Sequence, residues 1–249
     1  ASQRTPGCRW PRTDRLTRFH VDPRRGRGAL AAAGVLPAFQ GVAVPDCYPP
    51  YFGYTSCIHA RCHAHLLREL EAARELTGQA WPHRLQRLLS GAHQRVESAE
   101  AQGRSALPTH ERDELRQEYT ALNAGREPSI PSRPSLPPGR RGRPKKTKVQ
   151  NLLERPSKRP ADALRLVEDS RVPFTNNQAG QDLRMAKVKQ KLSGSFRTPI
   201  GAQRFYRLRS YVSTARKWAF RPIEALRGLL VVNPSSPSRR GALSASTIP

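Results

Sequence analysis

The chain has 249 residues, enough for one full domain with insertions or two small ones, and its 44 Lys and Arg against 19 Asp and Glu give a formal net charge of +25. Charge of that size opposes compaction by self-repulsion and favours a polyanionic partner, nucleic acid before an anionic membrane surface. No apolar run approaches the ~20 residues of a spanning helix, Ala1 to Gly7 has no apolar stretch of the secretory kind, and the four cysteines lack a framework-like spacing. A reduced, cytoplasmic setting is therefore expected rather than a disulfide scaffold. Charge alone is equally compatible with a basic RNA-binding protein.

Residues 16–21 alternate, with Thr17, Phe19 and Val21 on one face, and predict a short strand. Arg24-Arg25-Gly26-Arg27 follows, and Ala29 to Ala33 is a run of strong helix formers stopped by Gly34. Gly41-Val-Ala-Val44 is a compact apolar run of the kind found in strands buried on both faces. Pro45 is tolerated there because it sits at the strand end. Strand, helix and strand in quick succession predict an α/β layer architecture. From His63 to Leu76 the spacing turns helical, with Leu66, Leu70 and Ala73 on one stripe. Leu85, Leu88, Leu89, Ala92, Val96 and Ala99 then recur at three and four, and Gly103 and Pro108 close that helix. Thr109 has the chemistry of an N-cap for a further helix carrying Leu115, Tyr119 and Leu122. Residues 83–124 thus read as a helical hairpin inserted into the α/β unit.

The character changes over 126–148. Five prolines from Pro128 to Pro138 cannot sit inside a helix, and Gly139 to Lys148 holds six basic residues and no acid, which predicts an exposed linker. Helical spacing resumes near Asn151, interrupted by Pro156 and Pro160. Between Gln181 and Arg221 there are eleven basic residues and one acid, Asp182. Phe205, Leu208, Val212 and Ala215 form an apolar stripe there, predicting a helix with a basic outer face. The Ser/Pro-rich tail after Val232 predicts disorder.

Four stretches carry candidate chemistry. Gly142-Arg143-Pro144-Lys145-Lys146 has the form of an AT-hook core, since an extended Arg-Pro pair lies along a narrow minor groove; the alternative is a solvated basic linker touching phosphates without preference. Cys57, Cys62, His63 and His65 are zinc-type ligands, but their spacing does not suit the common structural sites, and a packing or active-site role for His65 is the stronger reading. Asp46 follows an apolar strand, where ligands gather in open α/β sheets and a carboxylate can hold a divalent metal; on position alone it could equally start a turn. In Val172 to Met185, Asn176 or Asn177 can cap a helix starting near Gln178. With Asn177 as cap, Gly180 occupies a helical position that favours Glu, at a cost of up to ~1 kcal/mol relative to Ala.

These residues resemble the insertion sequence 66 family of transposases. The likeness runs through Arg24 to Arg27, Gly34-Val-Leu-Pro-Ala-Phe39, Asp46-Cys-Tyr-Pro-Pro-Tyr51 and Cys62-His-Ala-His-Leu-Leu-Arg-Glu-Leu70. It continues in Thr175-Asn-Asn-Gln-Ala179, Asp182-Leu-Arg-Met185, Lys189-Gln-Lys191, Ser193-Gly-Ser-Phe-Arg197 and Arg209-Ser-Tyr211, covering roughly residues 12–230 in the family's order. The resemblance implies an RNase H-like fold in which two Asp and one Glu hold two Mg²⁺ ions for hydrolysis at the element ends and for strand transfer.

The family's second Asp matches Asp46. Its Glu falls at Gly180, and its first Asp falls before residue 1, matched by neither Asp14 nor Asp22. Pro45 replaces the usual His, residues 1–11 look unlike the family, and its N-terminal DNA-binding and zinc-finger regions are absent. One carboxylate cannot organise two metal ions, and Asp182 points roughly 200° around a helix from position 180. The expectation is therefore a truncated, catalytically inactive, transposase-derived DNA-binding protein. Arg184, Lys187, Lys189, Lys191 and Arg197, with Arg143, would contact phosphates, while Phe196 and Tyr211 belong to the core. The alternatives are an active metal-dependent transposase or nuclease, and a basic DNA-binding protein that interferes with intact transposase.

The predicted organisation is an incomplete RNase H-like core beginning in 12–82, a helical insertion over 83–125, the Pro-rich linker 126–148, a second part of the core with basic helices over 149–230, and a disordered tail over 231–249. DNA is the expected partner, in a bacterial, nucleoid-associated cytoplasmic setting without a membrane. The chain is expected to self-associate or to associate with an intact transposase.

Overall fold

The computed structural model describes residues 7–9, 11–22, 26–46, 48–125, 144–177, 188, 196 and 198–230. In chain order the elements are β1 (Gly7–Arg9), β2 (His20–Asp22), α1 (Arg27–Ala32), β3 (Val42–Ala43), β4 (Ile58–His59), α2 (His63–Thr77), α3 (Trp81–Ala101) and α4 (Thr109–Ala124). There follow α5 (Lys148–Glu154), α6 (Pro160–Ala163), α7 (Arg165–Glu168), α8 (Pro199–Lys217) and α9 (Pro222–Leu230). They form two compact units, one of residues 40–176 and one of Ala1–Phe39 with Asn177–Pro249. Among the described residues no helix is long and apolar enough to cross a membrane.

The 40–176 unit is mostly helical around a two-stranded parallel sheet, β3 beside β4, a composition compatible with an α/β class. Val42 pairs with Ile58 and Ala43 with His59. A 3₁₀ turn over Pro49–Gly53 helps return the chain between the strands, since parallel neighbours need a crossover. The strand is not buried on both faces as its apolar run predicts. Val42, Ala43 and Val44 are half-buried, because β3 has one short partner and only Val42 and Val44 pack on the helical core.

That core is supplied chiefly by α3. Leu85, Leu88, Leu89, Ala92, Val96 and Ala99 are all buried, as their three-and-four spacing requires. They meet Leu66 and Leu70 of α2, Leu115 and Tyr119 of α4, and Leu153, Leu166 and Val167 from the later helices. Tyr119 donates its hydroxyl to the Pro156 carbonyl at 2.6 Å, tying α4 to the turn after α5. A capping box at Thr147 and Gln150 starts α5, satisfying two orphan backbone donors at once. Thr109 is not the cap of α4: Pro108 occupies that place, and the Thr109 hydroxyl accepts from Arg112 instead.

In the other unit, β1 and β2 form an antiparallel pair, Gly7 opposite Asp22 and Cys8 opposite Val21. The strand read over 16–21 lies later, at His20–Asp22, with Thr17 in an isolated bridge to Arg12. Helix α8 packs on this hairpin through polar groups. Ser210 and Thr214 hydroxyls accept from the Phe19 and Thr17 amides at 2.9 and 3.1 Å, and Lys217 donates to the Thr13 and Leu16 carbonyls. The apolar stripe of α8 is rotated from the predicted one. Ala202, Tyr206, Val212 and Ala215 are buried, whereas Leu208 is 45% exposed and Phe205 half-buried. Tyr206 meets Phe19 and Phe196 at ring-centroid distances of 5.9 and 5.6 Å, so Phe196 does pack as core. Tyr211 is half-buried.

His63 fixes the start of α2. Its ring lies flat on Phe174, whose other face carries His93, with centroids 4.4 and 4.0 Å apart. Nε2 is 2.7 Å from the Ala163 carbonyl and Nδ1 3.2 Å from that of Phe174. A neutral ring has one N–H, which the shorter contact assigns to Nε2. Burial lowers this imidazole from 6.5 to about 4, against the pull of the two carbonyls. The folded state then holds fewer protons than the unfolded chain between those values. The resulting stabilisation is complete above pH 6.5 and lost as pH falls toward 4. Asp162, whose carboxyl burial pushes up, acts in the opposite sense at the lower end of that window. Urea midpoints across this range should show a loss of about 3 kcal/mol attributable to His63, and a shallower loss in His63→Gln; equal slopes for the two proteins would contradict the assignment.

Candidate active site at the strand ends

Parallel strands send their carboxyl ends to the same side, and in this unit those ends are Val44-Pro45-Asp46 after β3 and Ala60-Arg61-Cys62 after β4. The Asp46 side chain is exposed, while Pro45 before it is buried and ends the ladder. Cys62 is fully buried. Its thiol donates to Asn176 Oδ1 at 3.0 Å, its sulfur accepts the Asn176 backbone N–H at 3.2 Å, and His65 Nδ1 lies 3.1 Å from the same sulfur. With the S–H committed to the amide oxygen, His65 is the donor in that last contact.

Asn176 also reaches the other strand: its Nδ2 donates to the Val44 carbonyl at 3.4 Å. One side-chain amide therefore joins both strand ends, two residues before Asp46 on one and at Cys62 on the other. The backbone beside it is tied down too, since the His63 amide donates to the Phe174 carbonyl and the Arg61 amide to that of Asp162. The Cys62 thiol is buried and occupied on every side, so it holds the structure and is not placed to attack a substrate.

A second polar group lies under the same ends. Arg61 is buried and donates through Nη2 to the Lys158 carbonyl at 2.6 Å; its Nε and Nη1 have no hydrogen-bond partner among the described residues. His59 Nδ1 and Asp162 Oδ2 are likewise without one. Desolvation raises the Asp162 carboxyl, opposed by Arg159, His59 and Arg61. Nothing in the sequence marks this cluster, because Arg61 is an ordinary basic residue until its strand is buried.

The residues read as zinc-type ligands divide between two local groups. Cys57 lies 3.8 Å from His59 Nε2, Cys62 sits with His65 and Asn176, and His63 is spent on carbonyls. Among the described residues no group of three or more His, Cys, Asp or Glu is placed to hold a metal ion. Asn176, first read as a possible helix cap, has its amide committed to Val44 and Cys62. Gly180, Arg143, Arg184, Lys187, Lys189, Lys191 and Arg197 lie outside the described residues, as do Gln178, most of the 126–148 segment and the tail.

A protein-family model, described as Transposase IS66 family, matches residues 5–204. No curated protein and no solved structure matches the chain. The match begins inside the 1–11 stretch that looks unlike the family from its residues, which corrects that reading. Gly7-Cys8-Arg9 shows neither alternation nor β-branched residues; its strand is defined by pairing with β2.

The clasp has a measurable consequence. Asn176→Ala removes both side-chain bonds and leaves the buried thiol without its acceptor, which should cost about 1–3 kcal/mol in urea unfolding. Ala at the exposed neighbour Asn177 should change stability by no more than ~0.5 kcal/mol. Equal effects at the two positions would show that the Asn176 amide joins nothing of consequence.

Proposed function

The chain belongs to the IS66 family of transposases, and on that premise we propose that it is a transposase-derived DNA-binding protein of DNA transposition whose catalytic centre, at Asp46, has lost hydrolytic activity. The observation that carries this reading is the clasp at Asn176. Asn176, from the Thr175-Asn-Asn-Gln-Ala179 motif that precedes the family's Glu, donates to the carbonyl of Val44 on the strand end that leads to Asp46. That contact supports reading the strand ends as the scaffold of the site, and Gly180 at the position of the Glu supports reading it as inactive.

The family's chemistry rests on two divalent ions held between carboxylates. Mg²⁺ takes oxygen ligands in near-octahedral geometry, and carboxylates are its usual protein anchors. Among the described residues the donors at the strand ends are the Asp46 carboxylate, an amide already spent on Val44 and Cys62, and a buried thiol. This set does not fit a two-ion centre. The parallel pair β3–β4, with α2 following directly from β4, is read as part of an RNase H-like core, and the α3–α4 hairpin as the insertion within it.

DNA is the partner that family membership implies, and the +25 charge supports it. The Arg184-to-Arg197 basic stretch and Arg143 are proposed as phosphate contacts that position the chain without reading sequence.

Supercoiled plasmid incubated with the protein in Mg²⁺ or Mn²⁺ should remain unnicked, with Asp46→Ala indistinguishable from the parent and DNA binding retained by both. Nicking by the parent that disappears in Asp46→Ala would overturn the inactivity and reveal an acid that takes the place of the missing Glu.

A further inference from the structure

The charge is divided unevenly between the two units. Residues 1–39 and 177–249 hold 22 Lys and Arg against 4 Asp and Glu, a net +18, while 40–176 holds 22 against 15, a net +7. In the 40–176 unit many cations are answered by carboxylates: Arg74 by Glu71, Arg95 by Glu114, Arg116 by Asp113 and Glu168, and Arg171 by Asp169. Helix α8 has five basic residues and no acid.

Those five are not equivalent. Lys217 is spent on the Thr13 and Leu16 carbonyls, at 2.6 and 2.8 Å, and belongs to the anchored face with Tyr206, Ser210 and Thr214. Arg204 and Arg207 are exposed, and no ion pair among the described residues includes either. Being three apart, they lie on the same helix face. Ser210 and Thr214 follow Arg207 by one and two turns, so the hydroxyl contacts to the β1–β2 hairpin fix the backbone of α8 beside this pair of exposed guanidiniums. Two exposed guanidiniums side by side repel each other, and anions of matching spacing relieve that repulsion.

We propose that the outer face of α8, centred on Arg204 and Arg207, is a docking surface for the sugar–phosphate backbone of duplex DNA. It rests on the reading of this chain as a DNA-handling protein and adds a contact surface outside the 184–197 stretch and outside the Asp46 site. Arginine suits the task because its planar fork engages phosphate oxygens through two parallel hydrogen bonds. Such contacts fix orientation and are indifferent to base sequence. Ile200 and Leu208, 61% and 45% exposed, flank Arg204 one turn to either side. They make a protein contact the competing use of this face.

The test is the salt dependence of duplex binding by the full chain, read by fluorescence anisotropy on two duplexes of unrelated sequence. In Arg204→Gln/Arg207→Gln the slope of log K against log salt should shrink by about 1.8, equally on both duplexes, if each arginine neutralises one phosphate. Arg84→Gln/Arg87→Gln removes the same charge from the exposed side of α3 and should leave the slope as in the parent, with circular dichroism confirming that all three proteins fold. Parent binding with an unchanged slope in the α8 variant overturns this surface and leaves the DNA-binding reading standing. Absence of any salt-dependent binding by the parent overturns both. Loss of self-association in Ile200→Ser/Leu208→Ser, with duplex binding untouched by the arginine changes, assigns the face to a protein contact instead.

Discussion

Two parallel strands of two residues each are too short to hold themselves together, and the 40–176 unit depends on what fastens their carboxyl ends. A ladder of that length has few hydrogen bonds, and an isolated pair of strands is marginal even when longer. Asn176 supplies the fastening, with its amide nitrogen on the Val44 carbonyl and its amide oxygen on the Cys62 thiol. Burying a thiol and an amide together is favourable only because each satisfies the other; either alone would leave an unmade hydrogen bond in a low-dielectric setting. His65 completes the set from the first turn of α2. Strand end, helix start and the 172–176 segment are thereby placed by a few polar contacts above an apolar core.

The same placement separates side chains that carry packing from those that do not. Asp46, the acid that the family likeness points to, is exposed and bears no packing load. Cys62, His63 and Asn176 are different, since losing any of them leaves buried partners unsatisfied. A chain released from the demands of catalysis would lose exposed acids first and buried clasps last. The family assignment therefore speaks more strongly for descent and fold than for activity.

Legibility in the sequence followed the length of each pattern. The apolar stripe of α3 repeats over 21 residues, and every predicted position is buried. The helical spacing read over His63 to Leu76 matches α2, which Gly78 ends in the left-handed conformation that glycine permits at a helix terminus. Short elements were not readable in this way. The apolar run 41–44 suggested a doubly covered strand, yet pairing and coverage depend on β4, whose two residues carry no periodic signal. In α8 the predicted stripe missed Tyr206 and included Leu208, because that helix packs through hydroxyls and a lysine onto backbone, and polar packing leaves no hydrophobic period. At Asn176 the sequence shows cap chemistry but not the partners the fold supplies. An Asn before a helix has cap chemistry, and only the fold brings Cys62 within its reach, 114 positions away.

Asn176 and Cys62 act as one unit at the strand ends. A double-mutant cycle of Asn176→Ala and Cys62→Ala, read by urea unfolding, measures that coupling without reference to activity. The account predicts a coupling energy of about 1–2 kcal/mol, because removing either partner leaves the other's hydrogen bond unmade and removing both does not add the costs. Additivity within ~0.3 kcal/mol would mean that the two side chains are neighbours without being joined, and the strand ends would then need another fastening.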